Sequence, residues 1–268
     1  MSVQYAACTL CACELVCPKE TATAKVALFV PCFVDQLQPQ VAWDMVQVLR
    51  RIGLEVSFPQ AQTCCGQPAF NSGQWQEALP VAERFVRVFA DAETVVCPSG
   101  SCTAMVRSFY PELLAKSPLR DQAEALGRRI FEFSEFLVKV ARVTDVGADF
   151  PHKVTYHDSC HLLRELQLHS EPRTLLRNVK GLELVEMLRS DECCGFGGVF
   201  SVKFGMISAA MGETKAGNID ATKAEFVTSC DSSCLMHIGG ILKKTGSSVQ
   251  PIHLASILAS DGGRGARS

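Results

Sequence analysis

Four cysteines occur as a set, and the set occurs twice. Cys32, the adjacent pair Cys64 and Cys65, and Cys102 return 128 to 132 positions later as Cys160, the pair Cys193 and Cys194, and Cys234. Cys97 in "CPSGSC" and Cys230 in "CDSSC" extend the correspondence. Spacing repeated on this scale requires two copies of one folding unit, with the division near residue 145. The chain is thus read as a cysteine-rich segment over 1–24, a first repeat over 25–145 and a second over 146–268.

The stretches between the cysteines repeat as well. "KVALFVPC" is an apolar, β-branched run ending at Cys32, and "VAWDMVQVLRRIG" after it has helical spacing and stops at Gly53. "LEVSF" reads as a short strand leading into the first Cys-Cys-Gly, "WQEALPVAERFVRVFADA" as a helix, and "ETVVCPSGSC" as a strand with its loop. The second half follows the same order with "KVTYHDSC", "RTLLRNVKG", "LELVEM", a helix from about Met206 to Ala221, and "EFVTSCDSSC". Alternating strands and helices imply parallel βαβ units, so the expected class is α/β, two tandem pseudo-symmetric Rossmann-like repeats. Ligands in such sheets sit beyond the carboxyl ends of the strands, where every repeated cysteine falls.

Fourteen cysteines need a chemical explanation. The N-terminus has neither the charged n-region nor the apolar h-region of an export signal, and no apolar run reaches eighteen residues, so a cytoplasmic protein without a transmembrane segment is expected. Thiols stay reduced in that compartment, which favours metal over a disulfide framework. A formal charge of −2 offers no basic face for nucleic acid. Successive residues of a strand point to opposite faces, so a Cys-Cys pair can aim both sulfurs at one ligand only where the strand breaks into a turn. Gly66 and Gly195 directly after the pairs suit such a turn. Soft thiolates select iron–sulfur, zinc or copper(I).

The lone Cys, the Cys-Cys-Gly and the distal Cys pair resemble the cysteine-rich CCG domain shared by the heterodisulfide reductases, the glycolate oxidase iron–sulfur subunit and the lactate-utilisation proteins. The phrases "TCCGQPAFNSG", "PSGSC", "YHDSCHLLREL", "CCGFGGVFSVKF" and "CLMHIGG" are most similar to the lactate-utilisation branch, over about residues 25 to 260. The resemblance implies one cluster site from Cys32, Cys64, Cys65 and Cys102 and a second from Cys160, Cys193, Cys194 and Cys234. It also implies two four-iron clusters, of the non-cubane type in the heterodisulfide reductase relatives, with zinc in one half as the variant the family admits. Those relatives use five cysteines per site, with the distal two spaced Cys-x2-Cys. Here the spacings are Cys97-x4-Cys102 and Cys230-x3-Cys234, which sets Cys97 and Cys230 apart as candidate fifth ligands.

The N-terminal "CTLCACELVCPKE" carries Cys8, Cys11, Cys13 and Cys17 before a proline. It resembles a ferredoxin run with a shortened middle gap, and reads either as an additional cluster site of altered geometry or as a remnant with reactive thiols. His157, His161 and His237 stand near the second set, as structural partners or as groups that tune a cluster through hydrogen bonds to sulfur. Asp158 is expected to cap a helix. "GFGG" is no dinucleotide fingerprint, so nicotinamide or flavin binding by this chain is not expected.

Three functions are compatible with these residues. The resemblance favours an iron–sulfur electron-transfer subunit of a lactate or 2-hydroxy acid oxidising complex, an oxidoreductase subunit active with partners that include a ferredoxin-type iron–sulfur subunit. The others are a thiol–disulfide redox subunit like the heterodisulfide reductases, and a zinc-stabilised scaffold.

Overall fold

The computed structural model describes residues 25–262. It contains two four-stranded sheets in which every pairing is parallel. The first runs in the order β2-β1-β3-β4, with β1 Lys25–Leu28, β2 Glu55–Ser57, β3 Val95–Cys97 and β4 Ile130–Glu132. The second repeats that order as β6-β5-β7-β8, with β5 Lys153–Tyr156, β6 Glu183–Leu184, β7 Phe226–Ser229 and β8 Gln250–His253. Even the register is preserved, since Val26 pairs with Val56 and Val154 with Leu184. The chain is therefore an α/β protein of two repeated halves.

The sequence patterns account for the elements. Helix Pro39–Arg51 starts with proline, whose missing N–H costs nothing at the first helical position. It buries Val41, Met45, Val48 and Leu49, a stripe of helical period, and is followed by Gly53 at a φ of 84°. Helix Trp75–Val88 runs through Pro80, and helix Gly205–Ala221 occupies the equivalent place in the second half. The strands β4 and β8 close the two sheets and have no counterpart in the sequence reading. Each ends in a polar residue that caps the next helix: Glu132 accepts from the N–H groups of Ser134 and Glu135, and His253 Nδ1 accepts from that of Ala255.

The halves share one core. Buried residues of β1 and helix Pro39–Arg51 form a single apolar cluster with β5 and helix Leu254–Ala259. The Arg51 guanidinium crosses to the carbonyls of Val146, Leu258 and Ala259 at 2.9–3.1 Å. At the strand ends the loops after β3 and β7 meet: Ser99 Oγ and Ser101 N–H donate to Asp231 Oδ2 at 3.1 and 3.0 Å, and Gly100 N–H to the Cys230 carbonyl at 3.3 Å. A Cβ on Gly100 would stand 2.8 Å from Leu162, so only glycine permits that approach. Among the described residues no helix is long and apolar enough to cross a membrane.

Candidate metal centre

In each sheet the central strand carries neighbours from opposite directions of the chain, which opens a crevice at the carboxyl ends of β1 and β3, and again of β5 and β7. Cys32 opens helix Cys32–Leu37 after β1, and Cys102 lies in helix Gly100–Ala104 after β3. Cys160 opens helix Cys160–Arg164 after β5, and Cys234 lies in the first turn of helix Ser232–Thr245 after β7. All eight cysteines of the two repeated sets line one cavity of about 120 Å³ between the halves, together with Ser99, His161 and Asp231.

The two glycine elbows work as their sequence suggests. Gly66 has a φ of 85°, and its N–H turns back onto Cys64 Sγ at 3.3 Å. Gly195 has a φ of 94°, and its N–H meets Cys193 Sγ at 3.4 Å. Crowding at the second elbow is greater: a Cβ on Gly195 would stand 2.6 Å from the Ser208 carbonyl oxygen, whereas one on Gly66 would meet nothing nearer than 3.5 Å. The turn brings Cys64 Sγ to 3.8 Å from Cys32 Sγ, and Cys65 Sγ to 3.5 Å from Cys102 Sγ.

These separations fit metal ligation, because two thiolates bound to one tetrahedral ion at about 2.3 Å lie about 3.8 Å apart. The electrostatics fit too. The hydrogen bond from the Cys32 thiol, with help from Cys65 and the Gly66 N–H, holds Cys64 at about 3, while Cys32 is pushed up. Cys160, Cys194 and the Gly195 N–H hold Cys193 at about 2. Cys234 is lowered to about 7 by its hydrogen bond from Cys194, against the effect of burial and with the aid of the adjoining His157 ring. Each set thus contains a thiolate at neutral pH, the form that binds metal.

Cys97 and Cys230 are not brought to this cavity. Both are fully buried; Cys97 Sγ lies 3.6 Å from the Ser99 carbonyl, and Cys230 Sγ lies 3.4 Å from the Tyr156 hydroxyl. Cys8, Cys11, Cys13 and Cys17 lie outside the described residues. His161 lines the cavity, with its ring edge-on to Phe109 at 6.4 Å. His237 is half-buried behind the second elbow, with its Nε2 enclosed and unpartnered. Asp158 corrects an expectation: Ser159 is the N-cap of the following helix and makes no side-chain cap bond. The Asp158 carboxylate instead takes both nitrogens of Arg173 at 2.7 and 2.8 Å, and the Ser190 hydroxyl at 2.8 Å. A buried carboxylate needs a full charge partner, which outweighs a single N–H at a helix end.

Behind the second set lie His157, already noted in the sequence, and Lys215, which was not singled out there. His157 is fully buried, and its ring forms with Cys194 Sγ and Cys234 Sγ a group of potential ligands all within 4.8 Å of one another. Lys215 is buried, donates to the carbonyls of Arg189 and Ser190 at 2.7 and 3.3 Å, and is lowered in pKa by desolvation. It stands on the buried stripe Ser208, Gly212, Lys215 and Ile219 of its helix, a helical spacing that would have marked it.

Comparison with known proteins agrees with this architecture. The Lactate utilization protein A of Bacillus pumilus (strain SAFR-032) is 46% identical over 237 residues, 88% of this chain and 99% of the relative. That of Exiguobacterium sp. (strain ATCC BAA-1283 / AT1b) is 47% identical over 236 residues, 87% of this chain and 96% of the relative. A hypothetical protein from Helicobacter pylori has a similar fold, with a TM-score of 0.61 at 11% identity, over 90% of this chain and 49% of that chain. The cysteine-rich domain family CCG matches residues 26–107 and again 154–239, the two segments that hold the eight clustered cysteines, and the chain belongs to that family.

Proposed function

We propose that this chain is an iron–sulfur electron-transfer subunit of a system that oxidises lactate or a related 2-hydroxy acid. One cluster would be held by Cys32, Cys64, Cys65 and Cys102 and the other by Cys160, Cys193, Cys194 and Cys234. The observation that carries the reading is the convergence of two four-sulfur sets on one small cavity. The name shared by the relatives supports a role in lactate utilisation. Bound clusters would supply one-electron transfer. The chain's own part is to supply the thiolates Cys64 and Cys193, to donate the Gly66 and Gly195 N–H groups to sulfur, and to keep water from the buried Cys65, Cys102, Cys194 and Cys234.

The cavity of about 120 Å³ is well below the roughly 300–1,000 Å³ of pockets that enclose organic ligands, which supports assigning substrate oxidation to partner subunits. An exposed apolar run, Val202, Phe204, Met206 and Ile207, adjoins Gly197 to Val199 on the rim of the cavity and suits such a partner. A reducing cytoplasmic setting would keep these thiols available to a metal.

Metal and acid-labile sulfide analysis of anaerobically purified protein, with EPR, tests the proposal. The expected result is about eight irons and about eight sulfides from these two sites, with half the metal lost in a Cys193→Ser, Cys194→Ser variant. Zinc without sulfide would overturn it. A second reading, iron–sulfur in the first half and zinc in the second, is favoured by the approach of His157 to Cys194 and Cys234, a nitrogen and sulfur donor set typical of zinc. About four irons and one zinc would select it.

A further inference from the structure

We propose that the two donor sets are chemically inequivalent: the imidazole of His157 completes the second, so that a metal bound there has nitrogen as well as sulfur among its ligands. The inference rests on the metal-centre reading of the cysteine sets and concerns which atoms this chain supplies.

A buried imidazole ordinarily engages at least one ring nitrogen in a hydrogen bond. His157 is 0% exposed, yet neither Nδ1 nor Nε2 has an oxygen or nitrogen partner, and the one group its ring leans on is the Cys234 thiol. With Cys194 as the second sulfur of the set, the three lie within 4.8 Å of one another. Ligands of one tetrahedral ion lie about 3.5 to 3.8 Å apart, a gap that small side-chain rotations close. An orphaned borderline donor beside two thiols has the chemistry of a ligand awaiting its ion. Cys230 cannot take this place, because its sulfur faces the Tyr156 hydroxyl and Ser134 instead.

The first half lacks the device. Cys32 and Cys160 stand at equivalent places, and three positions before each lie Phe29 and His157. Phe29 is equally buried, but its ring meets Phe85 edge-on at 4.6 Å. All six histidines of the chain lie at or beyond His152, so the first half has no imidazole of its own.

The full chain carrying Cys64→Ser and Cys65→Ser isolates the second centre for measurement. Grown with nitrogen-15-labelled histidine and loaded anaerobically with iron and sulfide, it is expected to show directly bound nitrogen by pulsed EPR. Loaded with zinc, it is expected to show a nitrogen shell at the zinc absorption edge. His157→Phe, which installs the residue of the first half, should abolish the nitrogen signal and weaken metal retention against a chelator by at least about tenfold. His157→Cys should restore retention without nitrogen, and it decides the matter if the phenylalanine variant does not fold. A metal-loaded second centre without bound nitrogen, or a nitrogen signal that survives in His157→Phe, overturns the inference and leaves the metal-centre reading standing. Failure of the unsubstituted chain to bind metal at all overturns both.

Discussion

Beneath the two elbows the halves share a backbone and differ in chemistry. Phe29, Val30 and Met45 of the first half correspond in sequence to His157, Asp158 and Arg173 of the second, each at a separation of 128. Gly66 packs on Ala78 and Val81, and Gly195 on Ser208 and Met211, which aligns Phe85 with Lys215. Phe29, Val30, Met45 and Phe85 on one side and His157, Asp158, Arg173 and Lys215 on the other are all buried, the first four apolar and the second four ionisable or charged. The first half follows the ordinary hydrophobic rule for a core. The second has replaced it by a network: Arg173 pairs with Asp158 and Glu186 and lies 4.8 Å over the Tyr156 ring, while Lys215 is tied to two carbonyls. Such networks add little stability over apolar packing, so their effect is to be sought in what surrounds them. Here the surroundings are four cysteines, so the same thiolates sit on an apolar floor in one half and on a polar floor with a cation in the other.

The largest expected effect tests whether the polar floor is indispensable once it exists. Arg173→Met, which restores the residue type of the first half, leaves Asp158 buried without its partner and should cost about 3–5 kcal/mol, read as a lowered urea midpoint. A loss under about 1 kcal/mol would mean that the network is decorative. Next are the elbows. Gly66→Ala forces a left-handed φ on alanine, at about 1–2 kcal/mol. Gly195→Ala adds the overlap with the Ser208 carbonyl, by about 1–3 kcal/mol more. Equal melting temperatures for the two variants would contradict this difference.

The capping residues at the ends of β4 and β8 offer a comparison by pH. Burial lowers His253 from 6.5 to about 4, against the opposing pull of Asp231 and of the Pro98 carbonyl at Nε2, and Nδ1 already accepts the Ala255 N–H. The unfolded chain binds the second ring proton more readily, so this contribution is complete above pH 6.5 and disappears as the pH falls towards about 4. Glu132 has the opposite sign. Burial raises it from 4.5 to about 7, so its contribution is complete below pH 4.5 and disappears as the pH rises through about 7. Each spans up to about 3 kcal/mol, and between about pH 5 and 6.5 they oppose one another. Denaturant titrations should therefore show a shallow profile for the native chain, and one that rises with pH in Glu132→Gln; an unchanged profile would rule out the opposition.

The smallest effect on stability is the most informative about the centres. Lys215→Met strands the carbonyls of Arg189 and Ser190, for about 1–2 kcal/mol, and removes a positive charge from behind the second set alone. Its centre should become harder to reduce while the first keeps its potential, as redox titration would show. A shift in both potentials would mean that the floors are not independent.

Much of this was legible in the chain. The cysteine repeat located the strand ends, and glycine after each pair announced the elbows, because both are local consequences of backbone geometry. The edge strands were not legible: β4 has three residues and β8 four, too short for periodicity to register. Spacing set Cys97 and Cys230 apart from the other cysteines, but it could not show that both lie away from the cavity. They occupy the last position of β3 and the first after β7, and burial among the core side chains is set by contacts between elements. Asp158 reads as a cap for the same reason, since its partner Arg173 lies on another helix.

The contact of Ser99 with Asp231 lies where the symmetry of the two halves is broken. The two residues are each other's counterparts, both N-caps of the helix that carries the last cysteine of its set, and a residue meets its own counterpart only on the axis relating two copies. Two identical subunits would place serine against serine there, or aspartate against aspartate with its repulsion. A hydroxyl facing a carboxylate is open only to copies that have become distinguishable, as the two halves of one polypeptide can. One polypeptide that holds both copies can thus keep an unlike pair at a place where self-association would demand sameness.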